Sequence, residues 1–171
     1  MSNIMLDLET LGTEPGCAII SVGACVFSPE GIGETFYQVV DIEKNVGSMS
    51  PSTIKWWMQQ SEEARAVFKV QGEHIAGVLG NFTTWWKINE GEFLWGHGAS
   101  FDAPILEAAY KALNYPAPFK FWNTRCTRTI YSLAAVVPNR FVGTHHNALD
   151  DAKAQAEAVI RAWKNLGITE A

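Results

Sequence analysis

An α/β fold, built on a mixed five-stranded sheet flanked by helices, is predicted by three features of the chain. The first forty residues hold three short apolar segments separated by loops containing Gly and Pro; beyond residue 50, apolar side chains recur at helical spacing; and two more short apolar segments interrupt those helical stretches. With 171 residues and 47% hydrophobic content, residues 1–171 are read as one domain with a sizeable core.

The elements follow in order. Asn3 to Leu8 is short and apolar, Ala18 to Phe27 is longer and β-branched around Gly23, and Glu34 to Val40 alternates with aromatics. The loops Gly12 to Gly16 and Pro29 to Gly33 are short enough to join antiparallel neighbours, which predicts a three-stranded meander. Ser50-Pro51 and Ser61-Glu62-Glu63 are helix-start signals, so two short helices are expected between Pro51 and Val70. His74 to Ile88 carries Ile75, Val78, Leu79, Phe82, Trp85 and Trp86 at helical spacing despite Gly77 and Gly80. Glu92 to Gly96 reads as a strand and Phe101 to about Leu113 as a helix that tolerates Pro104 in its first turn. Phe119 to Asn123 is the expected fifth strand, Thr127 to Val136 a helix, and Pro138 to Thr144 a loop. The last helix spans about Ala148 to Leu166, with an apolar stripe through Ala152, Ala156, Val159, Ile160, Trp163 and Leu166, and Gly167 stops it. This order, with no internal repeat or linker, is that of a ribonuclease H-like sheet.

No stretch approaches the roughly 20 apolar residues needed to span a bilayer, and the N-terminus lacks the basic, apolar and cleavage regions of an export signal. Cys17, Cys25 and Cys126 form no CxxC pair and no even set, so reduced thiols in the cytoplasm are expected rather than disulfides or a cysteine zinc site. A net charge of −5 argues against binding nucleic acid through a broad basic surface. If the ligand is a polyanion, bound divalent cations can supply the missing positive charge.

Five carboxylates and two histidines stand out. Asp7 and Glu9 are two apart on a predicted central strand, so they share a face about 7 Å apart, a span that metals with oxygen ligands can bridge. Inside an apolar strand, two like charges are costly unless neutralised; on an edge strand they would be unremarkable. Asp102, in GHGASFDAPIL, sits near a helix start, where an acid also serves simply as a dipole partner; adjacent strand ends would bring it towards Asp7 and Glu9. In HHNALDDA, a histidine on a loop precedes an aspartate at a helix start, a spacing that suits a base and a metal ligand. Spacing alone leaves two registers, His145 with Asp150 and His146 with Asp151.

DLE, SFDAPIL and HNALDDA, in this order, resemble the three motifs of the DEDDh 3′→5′ exonucleases, the superfamily of ribonuclease T and polymerase proofreading domains. In that pattern an Ala follows the histidine by two and a small residue follows the aspartate, which matches His146, Ala148, Asp151 and Ala152. The resemblance implies two Mg²⁺ or Mn²⁺ ions per site. Asp7, Glu9 and Asp151 would hold one, Asp7 the second, and Asp102 would assist directly or through water. His146 would take the proton from the attacking water, and a single-stranded DNA or RNA would lose its terminal nucleoside 5′-monophosphate.

WWMQQS further resembles a segment in the branch that includes a phage single-strand DNA exonuclease and a bacterial exoribonuclease. Trp56 and Trp57 diverge by about 100° on a helix, so one of them faces the core. Trp57 is the candidate for base stacking, with core packing as its alternative; Leu11 and Phe101 are candidate wedges against the terminal bases. Trp85, Trp86, Trp95 and Trp163 read as packing residues, and Arg125, Arg128 and Arg140 as phosphate contacts or solvated charges. The rival readings are a non-catalytic nucleic-acid-binding module, which a missing signature residue would favour, a proofreading subunit of a polymerase, and another ribonuclease H-like chemistry such as endonucleolytic cleavage or strand transfer, which does not require the His-to-Asp arrangement. No signature residue is missing. Five residues follow the predicted last helix, so a free-standing enzyme is expected, as a monomer or a homodimer.

Overall fold

The computed structural model describes residues 2–44, 47–136 and 145–169. Its strands are β1 (Ser2–Thr10), β2 (Ile19–Ser28), β3 (Gly31–Val39), β4 (Gly91–Gly96) and β5 (Thr124–Cys126). Its α-helices are α1 (Pro51–Met58), α2 (Glu62–Arg65), α3 (Ile75–Ile88), α4 (Asp102–Ala112), α5 (Thr127–Ala134) and α6 (Ala148–Leu166). The strands lie in the order β3-β2-β1-β4-β5. The first three form the expected antiparallel meander, and β4 and β5 run parallel to β1, so the sheet is mixed.

Alternation along β1 divides the molecule. Ile4, Leu6 and Leu8 face α3 and α4, packing with Val78, Leu79, Phe82, Trp86, Ile105, Leu106 and Tyr110. Met5 faces the opposite layer with Cys25, Phe27 and Trp95, covered by Tyr131 of α5 and by Ala152, Ala156, Val159 and Trp163 of α6. Phe27 stacks on Trp163 with ring centroids 5.1 Å apart. A third cluster, beneath α1 and α2, joins Leu11, Ala18 and Ile20 to Trp57, Ala64 and Val67. All four tryptophans expected in packing roles contribute to the first two clusters.

The small residues of α6 determine how close it comes to the sheet. Ala148, Ala152 and Ala156, at four-residue spacing, are fully buried. Opposite them Gly23 of β2 has no side chain, and a Cβ there would lie 2.2 Å from the Ala148 carbonyl carbon. Helix and sheet therefore meet backbone to backbone where the carboxylate-bearing part of β1 begins, since Gly23 pairs with Asp7.

One element differs from expectation. The fifth strand is Thr124–Cys126, not Phe119 to Asn123, because Phe121–Asn123 curls into a 3₁₀ turn. Asn123 donates its N–H to the Lys120 carbonyl, and Thr124 Oγ1 donates to the Phe121 carbonyl at 2.7 Å. Phe119 is buried but Phe121 and Trp122 are 72% and 61% exposed, so the aromatic spacing reflects a turn with one anchored ring. α5 ends two residues early, at a left-handed Ala135 (φ 52°). The expected loop from Pro138 to Thr144 and Arg140 within it lie outside the described residues. Among the described residues no helix is long and apolar enough to cross a membrane.

Candidate active site

Three elements bring acids together at the C-terminal ends of β1 and β4. Asp7 and Glu9 project from β1 on the α6 side, Asp102 enters from the first turn of α4, and Asp151 from the first turn of α6. Together with His146 they line one open cleft of about 760 Å³, shared with Trp56, His97, Phe101, Arg128 and Gln155 among others. His145 and Asp150 do not line it, so the structure brings the His146 and Asp151 register to the cleft.

Each acid is held by its surroundings. Asp7 Oδ1 accepts a 2.7 Å hydrogen bond from Gln155 Nε2, one turn beyond Asp151 on α6. Asp102 Oδ1 accepts the Leu8 N–H at 3.1 Å, which fixes it against β1, and Gly96 leaves it room: a Cβ there would lie 3.1 Å from Asp102 Oδ2. Asp151 Oδ2 accepts the His146 N–H at 2.9 Å. His146 is in the left-handed region (φ 65°), a turn that aims its N–H back at the helix start. Asn147 caps α6, accepting the N–H groups of Leu149 and Asp150. The His146 ring rests edge-on against Trp56, centroids 4.7 Å apart.

The electrostatics are those of a crowded, partly buried acidic site. Burial, followed by the charges of Asp102, Glu9 and Asp151, holds Asp7 well above the usual carboxylate range, against the opposing hydrogen bond from Gln155. Burial first, then Asp151 and Asp102, pushes Glu9 up to about 8. Burial raises Asp102 to about 7 against several backbone hydrogen bonds, and it raises Asp151 as well. The His146 imidazole is lowered, by burial first and by His145 second. Among the described residues, Arg128 is the only Lys or Arg lining the cleft.

Such a donor set fits a hard divalent cation. Carboxylate oxygens are its preferred ligands, and like charges held in a dry site are stabilised by one. Among the described residues, one ligand atom each from Glu9, His146 and Asp151 lie within 4.8 Å of one another.

Two expected substrate contacts are corrected. Trp57 is 3% exposed and donates Nε1–H to the Thr10 carbonyl at 2.9 Å, so its ring packs in the core beneath α1 and ties that helix to the end of β1. Leu11 is buried in the same cluster and does not line the cleft. The 100° divergence of the pair is real, but its sense is the reverse: Trp56, 40% exposed, faces the cleft. Phe101 lines the cleft as expected. Arg125 lies over the Phe93 ring and donates to the Trp122 and Thr124 carbonyls, whereas Arg128 reaches the cleft. Gln155 and His97 were not anticipated. The four-residue step from Asp151 to Gln155, which places both on one helix face, is a signal that would have found Gln155.

The description of the 3′–5′ exoribonuclease Rv2179c-like domain matches residues 2–163. The chain belongs to that family. It is a 3′–5′ exonuclease domain, and divalent-metal dependence is implied by its family. The exonuclease is 30% identical over 163 residues to an exodeoxyribonuclease of Enterobacteria phage T4, covering 75% of this chain and 70% of that one. It is 26% identical over 180 residues to a PolC-type DNA polymerase III of Thermotoga petrophila, covering 98% of this chain but 12% of the polymerase. The nuclease domain of 3′hExo, a DEDDh family member bound to rAMP, shares its ribonuclease H-like fold with a TM-score of 0.66, at 17% identity over 99% of this chain and 94% of that one. Exonuclease X in complex with 5′ overhanging duplex DNA matches with a TM-score of 0.61, at 19% identity over 96% of this chain and 93% of the other.

Proposed function

We propose that residues 1–171 act as one exonuclease domain that removes nucleoside 5′-monophosphates from the 3′ end of single-stranded DNA or RNA. The observation that carries this reading is the convergence of Asp7, Glu9, Asp102, Asp151 and His146 on one cleft. Asp7, Glu9, Asp102 and Asp151 would hold Mg²⁺ or Mn²⁺, two per site, with Gln155 orienting Asp7. Cations held there would supply the positive charge needed to admit a phosphodiester among four carboxylates, to acidify water and to stabilise a leaving 3′ oxygen. His146 accepts the proton of the attacking water; burial and then His145 lower its imidazole pKa, which favours the neutral form that has a nitrogen free to take that proton. Trp56 and Phe101 flank the cleft as apolar surfaces for the terminal nucleotide. The free thiols Cys17 and Cys25, both buried, support a reducing, cytoplasmic setting.

The nearness of His146 to Glu9 and Asp151 favours one alternative, in which the imidazole is itself a metal ligand. His146→Ala separates the two roles: a base leaves metal affinity intact, a ligand does not. The reading as a whole is tested with single strands of RNA and DNA labelled at either end, incubated with Mg²⁺ or Mn²⁺, with Asp7→Ala as control. Stepwise shortening from the 3′ end is expected. Internal cuts or first release of the 5′ nucleotide would overturn it.

A further inference from the structure

We infer that the β5 edge of the sheet is a second nucleic-acid subsite, where Lys120, Phe121 and Trp122 hold the single strand behind the 3′ end that occupies the cleft. This rests on the exonuclease reading above and extends it from the terminal nucleotide to the strand upstream.

Charge in this chain is segregated. Residues 108–149 contain Lys111, Lys120, Arg125, Arg128 and Arg140 but none of the 18 acidic residues. A net charge of −5 therefore conceals one stretch able to meet phosphates, and Arg128, at its centre, lines the cleft. From Arg128 the chain leads back through β5 to the turn at Phe121–Asn123, no more than about 22 Å even if fully extended. By strand alternation Glu92, the nearby acid on β4, faces away from Phe93, over which Arg125 lies.

The turn is a built platform. Phe121 and Trp122 are 72% and 61% exposed, yet they meet edge to face at 4.9 Å, and Lys120 Nζ sits 5.5 Å from the Trp122 ring centroid. Thr124 Oγ1 bonds the Phe121 carbonyl and Arg125 the Trp122 carbonyl, fixing the backbone that presents both rings. Two exposed aromatic rings, adjacent cations and no nearby acid on the same segment form a sequence-tolerant stacking surface for bases with phosphate contacts beside it. A second copy of the chain suits the patch less well, because a two-fold contact would set Lys120 and Arg125 of one copy against those of the other.

The test is a double variant, Phe121→Ser with Trp122→Ser, beside Lys120→Glu, both made at exposed positions. Binding of a fluorescent single strand of about 16 nucleotides is measured in EDTA, and hydrolysis of a dinucleotide is measured with Mg²⁺ or Mn²⁺. The double variant is expected to bind the long strand at least about 10-fold more weakly, with dinucleotide kcat/KM unchanged within about twofold. Lys120→Glu should weaken long-strand binding more at low salt than at high salt. Unchanged long-strand binding, or an equal loss on the dinucleotide, overturns the subsite. So does a wild-type dimer that the double variant converts to monomer, which would assign the patch to a second copy. Wild-type protein that binds the strand in EDTA but degrades neither substrate sinks the exonuclease reading alone, and the binding comparison still decides the subsite.

Discussion

The two faces of β1 differ in nearly every respect although they are made from one run of nine residues. On one, Ile4, Leu6 and Leu8 meet the large side chains of α3 and α4 in a dry apolar layer that needs nothing from outside the chain. On the other, Asp7 and Glu9 meet a helix brought in close by Gly23, Ala148 and Ala152, and their charges crowd those of Asp102 and Asp151. The first face is wholly apolar, and the second carries the acids to which we assign the chemistry. A strand period of two lets adjacent residues serve opposite purposes.

Neighbouring substitutions separate the faces most sharply. Asp7→Ala should abolish most nuclease activity while the fold survives, since it would remove a proposed metal ligand and relieve like-charge crowding. Leu6→Ala should instead destabilise the protein by about 2–5 kcal/mol, leaving the turnover of still-folded protein near normal. Denaturant unfolding and kcat on both variants measure this, and near-normal turnover in Asp7→Ala would end the two-metal reading.

A smaller effect is expected at the rim of the catalytic face. His146→Ala should lower kcat by about 10² to 10⁴, and His145→Ala far less, because only the first lines the cleft. The rise of kcat with pH through the imidazole range should flatten in the His146 variant. If His145→Ala is instead the crippled enzyme, the register is the other one.

Behind the acids, Gln155→Leu deletes the 2.7 Å hydrogen bond to Asp7. A loss of about 10- to 100-fold in metal affinity is expected, visible as a shifted Mn²⁺ titration midpoint. An unshifted midpoint would reduce Gln155 to packing.

The gentlest probe is pH. The folded-state pKa values of Glu9, at about 8, and Asp102, at about 7, lie above their ordinary values of 4.5 and 3.8. The stability they contribute is fully present below pH 4 and is lost as pH rises through about 7 to 8. In EDTA, Tm should therefore fall by several degrees between pH 5 and pH 8, and Mg²⁺ or Mn²⁺ should offset the fall. A flat EDTA profile would mean that the acids are not buried against one another.

Much of this arrangement was legible in the residues. The acidic pair inside an apolar strand, the Asp102 helix start and the small-residue pattern after His146 each carry a local signal, and topology alone brings them together. The tryptophan pair was not legible. Helical geometry separates Trp56 from Trp57, but which one turns inward depends on the Thr10 carbonyl 47 positions away in sequence. Phe121 and Trp122 misled in the same way, because aromatic spacing in a braced turn matches that of a strand until its hydrogen bonds are seen. Gln155 was missed because a neutral amide on a helix face has no signature unless its partner is known.

The contact between Gly23 and Ala148 also has a bearing on how this enzyme wears out. Where main chain rests on main chain there is no side chain to rotate or compress, so we expect the spacing between the β1 acids and Asp151 to change late on warming. His146 hangs from a left-handed turn just outside that joint, with its ring steadied by a half-exposed Trp56. Mild heating should consequently displace His146, the proposed proton acceptor, before the carboxylates proposed to seat the cation, leaving molecules that still capture metal and no longer cut.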